Sequence, residues 1–163
     1  MKSLIVAIFL TLSPHIEESD SSGSIARLTA VPTVAFCDLI HNPKLYDKKI
    51  VRITAIYRYG YEWSQLYCLD CIDAGATWVE LDDSFATNTN SKLANKIGEN
   101  GFRGRTVRVV AVGEFYGSGG GYGHMGSYRY KFRISRLEQA TIILNDSPIP
   151  AKLPKRVLRR AHC

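Results

Sequence analysis

The apolar run Leu4 to Leu12 is too short to cross a bilayer as a helix, stopping well short of the roughly 20 residues a span needs. Histidines are few: His15, His41, His124 and His162 are scattered, and none sits in a nucleophile motif. The acids Glu62, Glu80, Asp82, Asp83 and Glu114 fall on strand faces and not in partnered pairs, so no acid–base or nucleophilic enzyme signature is present. No Gly-Lys-Ser/Thr follows a glycine-rich stretch, which excludes a phosphate-binding loop of that kind. There is no internal repeat. The expectation is a protein without catalytic residues and without a cofactor.

The 163 residues, 45% hydrophobic and 22% charged, fit one ordinary globular domain with flanking segments. Met1-Lys2-Ser3 before the Leu4–Leu12 run resembles the charged start and short apolar stretch of an export signal. Residues 1–30 are therefore expected to be a signal and disordered leader, 31–145 the domain, and 146–163 a disordered tail. No cysteine follows the apolar run closely enough for lipidation. The net charge of +6 sits mostly in that tail, where Lys152, Lys155, Arg156, Arg159 and Arg160 have no acid among them. Between Val31 and Pro150 the 14 bases nearly balance the 12 acids, so the domain itself lacks the uniform basicity of a nucleic-acid binder.

Apolar residues at Val34, Phe36, Leu39 and Ile40, ending at Asn42-Pro43, predict a short helix. From Lys49 the period changes to two: Val51, Ile53, Ala55, Tyr57 and Tyr59 face one way and Arg52, Thr54 and Arg58 the other, the pattern of a long strand. Gly60 permits a bend, Ser64 to Leu69 returns as a second strand, and Thr77 to Asp82 follows as a third with Val79 and Leu81 inward. A polar stretch from Asp83 to Asn90 leads to a helix over Lys92 to Ile97, ending near Gly98 and Gly101, with N-cap candidates in Asn88-Thr89-Asn90-Ser91. Val107 to Tyr116 and Tyr128 to Ser135 then form a hairpin. Its tip, Gly117 to Ser127, holds six of the chain's 13 glycines.

Five strands with a helix between the third and fourth is the order of the OB-fold, a five-stranded Greek-key barrel whose face and loops bind oligonucleotides or oligosaccharides. The predicted fold class is thus all-β with minor α: an OB-fold barrel with a short N-terminal helix. The stretch Asn42-Pro43-Lys44-Leu45-Tyr46-Asp47-Lys48-Lys49-Ile50-Val51-Arg52-Ile53 resembles the Asn-Pro-x-x-Tyr-Asp-Gly-Lys-x-Val-x-Val lead-in to the first strand of exported bacterial stand-alone OB-fold proteins of the tRNA-anti-like type. Lys48 stands where that pattern has glycine. The resemblance implies the fold and export to the periplasm or beyond, and no reaction.

Cys68-Leu69-Asp70-Cys71 is a C-x-x-C, with Cys37 upstream and Cys163 at the end. In an oxidising compartment these residues favour a disulfide, of Cys37 with Cys68 or Cys71, or directly between Cys68 and Cys71. Zinc is the alternative: Cys37 and His41 share a helix face and with Cys68 and Cys71 would complete a Cys₃His set. For binding, two surfaces stand out. One is the hairpin loop with Tyr116, Tyr122, His124, Met125 and Tyr128, whose rings could stack on a sugar or a base. The other is the outward side of the first and third strands, carrying Arg52, Arg58, Trp78, Glu80 and Asp82. Read together, these features predict an exported, non-enzymatic binding module with a saccharide or protein as its ligand; single-stranded nucleic acid is the alternative.

Overall fold

A computed structural model of the chain describes residues 30–97, 106–144 and 163. The expected leader, the helix end near Gly98 and Gly101, and the tail as far as His162 lie outside the described residues. The elements run α1 (Phe36–His41), α2 (Pro43–Tyr46), β1 (Lys49–Tyr59), β2 (Ser64–Tyr67), a 3₁₀ turn (Leu69–Ala74), β3 (Thr77–Leu81), α3 (Phe85–Asn88), α4 (Ser91–Ile97), β4 (Thr106–Tyr116) and β5 (Tyr130–Leu144), with one short 3₁₀ turn (His124–Gly126) in the last hairpin.

The strands close into a barrel in the order β1-β2-β3-β5-β4. Every pairing is antiparallel except β3 with β5. This is an all-β barrel of the OB type with minor α, as the element order predicts. The period-two residues of β1 do what their spacing requires: Val51, Ile53, Ala55 and Tyr57 are buried inside the barrel. Val107, Val109, Ala111 and Phe115 of β4 meet them, and Phe115 lies opposite Phe132 of β5. Each large side chain buried this way contributes about 1.5–3 kcal/mol of hydrophobic stabilisation. Phe36, Leu39 and Ile40 of α1 join the same core.

Three expectations need correction. β5 runs to Leu144, not to Ser135, because its register slips against β4 between Thr106 and Val107, Val110 and Ala111, and Val112 and Gly113. Such bulges bend a strand pair so that a barrel can close, and they also break the alternation that marks a strand in sequence. Beside one slip, the Leu137 N–H donates to the buried Thr89 hydroxyl at 3.0 Å. Leu81 points toward the core side but sits at the barrel rim where β3 stops, and it is 48% exposed. The polar stretch after Asp83 contains a helical turn, α3, whose Phe85 is buried; Asp82 starts it by accepting from the Ser84 N–H and hydroxyl at 3.0 and 2.7 Å. The α4 helix follows the expected capping, with Asn90 Oδ1 accepting from the Lys92 N–H at 2.9 Å.

Lys48, which replaces the glycine of the resembling pattern, has φ +56°. A turn residue in this left-handed region favours glycine, so the substitution costs strain. The Lys48 N–H still donates to the Phe115 carbonyl at 2.6 Å, tying the start of β1 to the end of β4.

Candidate ligand-binding site

Barrel shear brings two loops together over β2 and β3: the short β1–β2 turn and the long β4–β5 loop. Between them lies a cleft of 360 Å³, lined by Tyr59, Gly60, Tyr61, Glu62, Trp63, Ser64, Trp78 and His124. Its size is within the range of small-ligand sites. Both tryptophans of the chain line it.

Strand register builds the floor. Arg58 pairs with Gln65, Gln65 with Trp78, Trp78 with Lys131, and Lys131 with Tyr116, so one row of outward side chains crosses all five strands. Tyr128 packs its ring 5.4 Å from Trp78 and donates its hydroxyl to Gln65 Oε1 at 3.0 Å. Burial there lifts the Tyr128 phenol above its usual pKa. Trp78 is thus held on one side and open on the other.

The glycine-rich loop is shaped by its backbone. Gly119, Gly120, Gly121, Gly123 and Gly126 all have positive φ, so the composition follows from left-handed turns that other residues resist. Gly123 shows the constraint most directly: at φ +72°, a Cβ there would lie 2.5 Å from the Trp78 ring. Tyr122 and Tyr128 exchange both backbone hydrogen bonds, making a small hairpin within the loop. At the base, Asp47 accepts from the Gly117 and Ser118 N–H groups at 2.8 and 3.2 Å and from the Ser118 hydroxyl at 2.5 Å. Chiefly through that hydroxyl, the latch holds the Asp47 carboxyl below its ordinary pKa. Across the cleft, His124 Nε2 lies 3.5 Å from Glu62 Oε2, joining the two loops.

Of the residues singled out in the sequence, Trp78 and His124 line the cleft, and Tyr128 backs it. Met125 stands at the loop tip, 88% exposed, with φ +54°. Tyr116 and Tyr122 are not among the residues lining the cleft: their rings cover the Lys131 ammonium at 4.4 and 5.3 Å, and their hydroxyls donate to Glu114 and to the Ser118 carbonyl. Arg58 lies over the Trp63 ring at 5.5 Å. Arg52 is apart from the site. It is six residues back along β1, about 20 Å of strand, and its guanidinium is bound by both oxygens of Glu138 at 2.8 and 3.0 Å. That pair holds the Glu138 carboxyl below its usual range.

Tyr59, Tyr61, Glu62 and Trp63 were not singled out as binding residues from the sequence, although Tyr57-Arg58-Tyr59-Gly60-Tyr61-Glu62-Trp63 is dense in aromatics around its glycine. That density in a strand-to-strand turn was the available signal. Two cations beside the cleft are paired, Lys131 with Glu80 at 3.0 Å and Arg133 with Asp82 and Glu114 at 3.4 and 2.8 Å, whereas Arg58, stacked on Trp63, has no carboxylate partner among the described residues.

The cysteines form two disulfides, Cys37–Cys71 and Cys68–Cys163, with Cα separations of 5.6 and 5.9 Å. Pairing of Cys37 with Cys71 is one of the expected choices. The direct Cys68–Cys71 bridge is not formed, and the last residue of the tail is covalently attached to the barrel. His41 is outside the sulfur cluster, which consists of Cys37, Cys68 and Cys71 with Cys163 bonded to it. Two disulfides belong to an oxidising, exported environment, and among the described residues no helix is long and apolar enough to cross a membrane. No protein-family model matches the chain, and no curated protein matches it.

Proposed function

We propose that this protein is an exported, non-enzymatic OB-fold module of the tRNA-anti-like type that binds a saccharide in the cleft over Trp78. The observation that carries the reading is the cleft's composition: Tyr59, Tyr61, Trp63 and Trp78 supply flat apolar faces, while Glu62, Ser64 and His124 supply polar groups at the rim. A sugar ring offers the matching surfaces, an apolar face of C–H groups edged by hydroxyls. Export agrees with the two disulfides and with the Lys2-led apolar run at the start of the chain.

Against nucleic acid stands the pairing of Lys131 and Arg133, beside the cleft, with carboxylates, which leaves Arg58, stacked on Trp63, as an unpaired cation there among the described residues. Phosphate contacts dominate nucleic-acid affinity, and cations already held by acids contribute little to them. The test is a titration of tryptophan fluorescence with a panel of neutral and acidic oligosaccharides and with single-stranded oligonucleotides at low salt. Saturable change with a saccharide is expected, and Trp78→Ala should weaken it roughly tenfold or more, as loss of a buried aromatic anchor does. Binding of oligonucleotide with a steep salt dependence, and of no sugar, would replace this reading with the nucleic-acid one.

A further inference from the structure

The cysteines make a second site, remote in chemistry from the cleft. The sulfurs of Cys37, Cys68 and Cys71 all lie within 4.8 Å of one another; the fourth sulfur, of Cys163, is bonded to that of Cys68 but lies beyond that distance from at least one of the other two. Disulfide chemistry requires two pairs and does not require the pairs to touch. A tetrahedral thiolate site does require it: with metal–sulfur bonds of about 2.3 Å, its four sulfurs are about 3.8 Å apart, so three are already gathered and Cys163, released from Cys68 by reduction, is the one that must move in. We propose that, once both disulfides are reduced, Cys37, Cys68, Cys71 and Cys163 form a tetrathiolate site for a soft divalent cation, zinc foremost.

The ligands come from three places. Cys68 and Cys71 flank the start of the 3₁₀ turn with two residues between them, the spacing by which one turn presents two thiolates to one metal. Cys37 comes from α1 and Cys163 from the end of the chain. Cys68 and Cys71 are buried, at 0% and 7% exposure, which shields the bound ion; Cys37 is half-buried and Cys163 exposed, which gives the ion its way in. A divalent cation with four thiolates carries two net negative charges. The Asp70 carboxylate stands 3.5 Å from the Cys68 sulfur, and Lys44 and Arg129 line a groove of 570 Å³ with Asp73 and Ala74 at the end of the same 3₁₀ turn. His41 lines that groove and is not among the sulfurs. The ligand set is therefore all sulfur, not the Cys₃His set that spacing alone suggests.

The exchange balances. A dithiol reductant gives two electrons and two protons to each disulfide and becomes a disulfide itself; the metal then displaces the thiol protons as four metal–sulfur bonds form. Re-oxidation by two small-molecule disulfides, each taking two electrons from the thiolates and two protons from solvent to become a dithiol, restores the two sulfur–sulfur bonds and releases the cation. The cluster has two alternative closed states, and each excludes the other.

The test uses the full chain, reduced, desalted without oxygen and titrated with Co²⁺. The expected result is one ion per chain with the visible bands of tetrahedral cobalt and thiolate-to-metal charge transfer, displaced by Zn²⁺. Cys163→Ser should weaken Zn²⁺ binding roughly tenfold or more, since even outer partners of a metal ligand are worth that much, while His41→Ala should leave it unchanged. Because an unfolded chain can also hold zinc through its C-x-x-C, thermal melting of the reduced protein is followed by circular dichroism, and Zn²⁺ should raise the midpoint of the barrel's transition. Zn²⁺ should also slow the loss of free thiols in air. Absence of a tetrahedral cobalt spectrum, an unmoved melting midpoint, or loss of metal in His41→Ala but not in Cys163→Ser would overturn the proposal.

Discussion

Where α1 meets the 3₁₀ turn, the chain is fixed by sulfur–sulfur bonds spanning 34 and 95 residues. Around Trp78 it is fixed by weaker means: a 3.5 Å His124–Glu62 contact, ring packing on Tyr128, and three hydrogen bonds to Asp47. The sulfur side leaves the structure little freedom. The cleft side keeps its most exposed apolar residues, Tyr61 and Met125, at its two loop tips. Such a division concentrates covalent restraint away from the cleft and leaves the cleft's own loops adjustable. Positional order at the cleft then depends on backbone geometry, above all at Gly123 and Asp47.

The comparison can be broken at its strong side first. Cys37→Ser or Cys71→Ser opens the 34-residue loop and should lower unfolding free energy by about 4 kcal/mol on the chain-entropy estimate. Urea unfolding measures it, and a loss below about 1 kcal/mol would mean that the disulfide adds little to a side already held by packing. Next in size, Gly123→Ala puts a methyl group against Trp78 at a left-handed backbone position. A loss of about 2 kcal/mol is expected, together with a change in tryptophan emission; unchanged emission would show that the loop does not set the cleft.

Acid sharpens the comparison further, because it acts on the hydrogen-bonded side and spares the disulfides. Asp47, Asp82 and Glu138 have carboxyl pKa values below the ordinary 3.8, 3.8 and 4.5. The unfolded chain therefore binds protons that the folded chain refuses, so the stabilisation is complete above those ordinary values and fades as pH falls through the lower folded ones. Melting temperatures should be level from neutrality to about pH 5 and drop below pH 4, and Asp47→Asn should make the drop shallower. The smallest effect is at Lys48. Lys48→Gly relieves its left-handed backbone but adds freedom to the unfolded chain, so a net gain of about 0.5 kcal/mol is expected in the same urea assay. A loss instead would mean that the lysine side chain itself stabilises the turn.

The barrel was legible wherever alternation ran unbroken. Val51 to Tyr57 and Val107 to Phe115 carry their inward faces in plain period two, and with one helix after the third strand that order leads to the observed closure. The second half of β5 was not legible because three register slips, at Ser135, Glu138 and Ile143, scatter its pattern. The site was half legible. Trp78 and His124 stood out by type and place, whereas Tyr59, Tyr61 and Trp63 join them only through the meeting of two loops distant in sequence. For Arg52, the strand pattern reveals the outward direction but not the Glu138 carboxylate on β5 that pairs with it. The Cys68–Cys163 bond was beyond reach for the same reason, since cysteine pairing over 95 residues leaves no trace in spacing.

Trp78 sits on β3, yet its floor neighbours Lys131 and Tyr128 come from beyond β4, across the parallel β3–β5 seam. A fragment that stops before β5 keeps every residue lining the cleft but loses Lys131 from the row beneath it and the strand that pairs with β3. Because the chain has no tryptophan outside it, the protein carries an internal optical gauge: without any label, its emission registers when the seam zips shut.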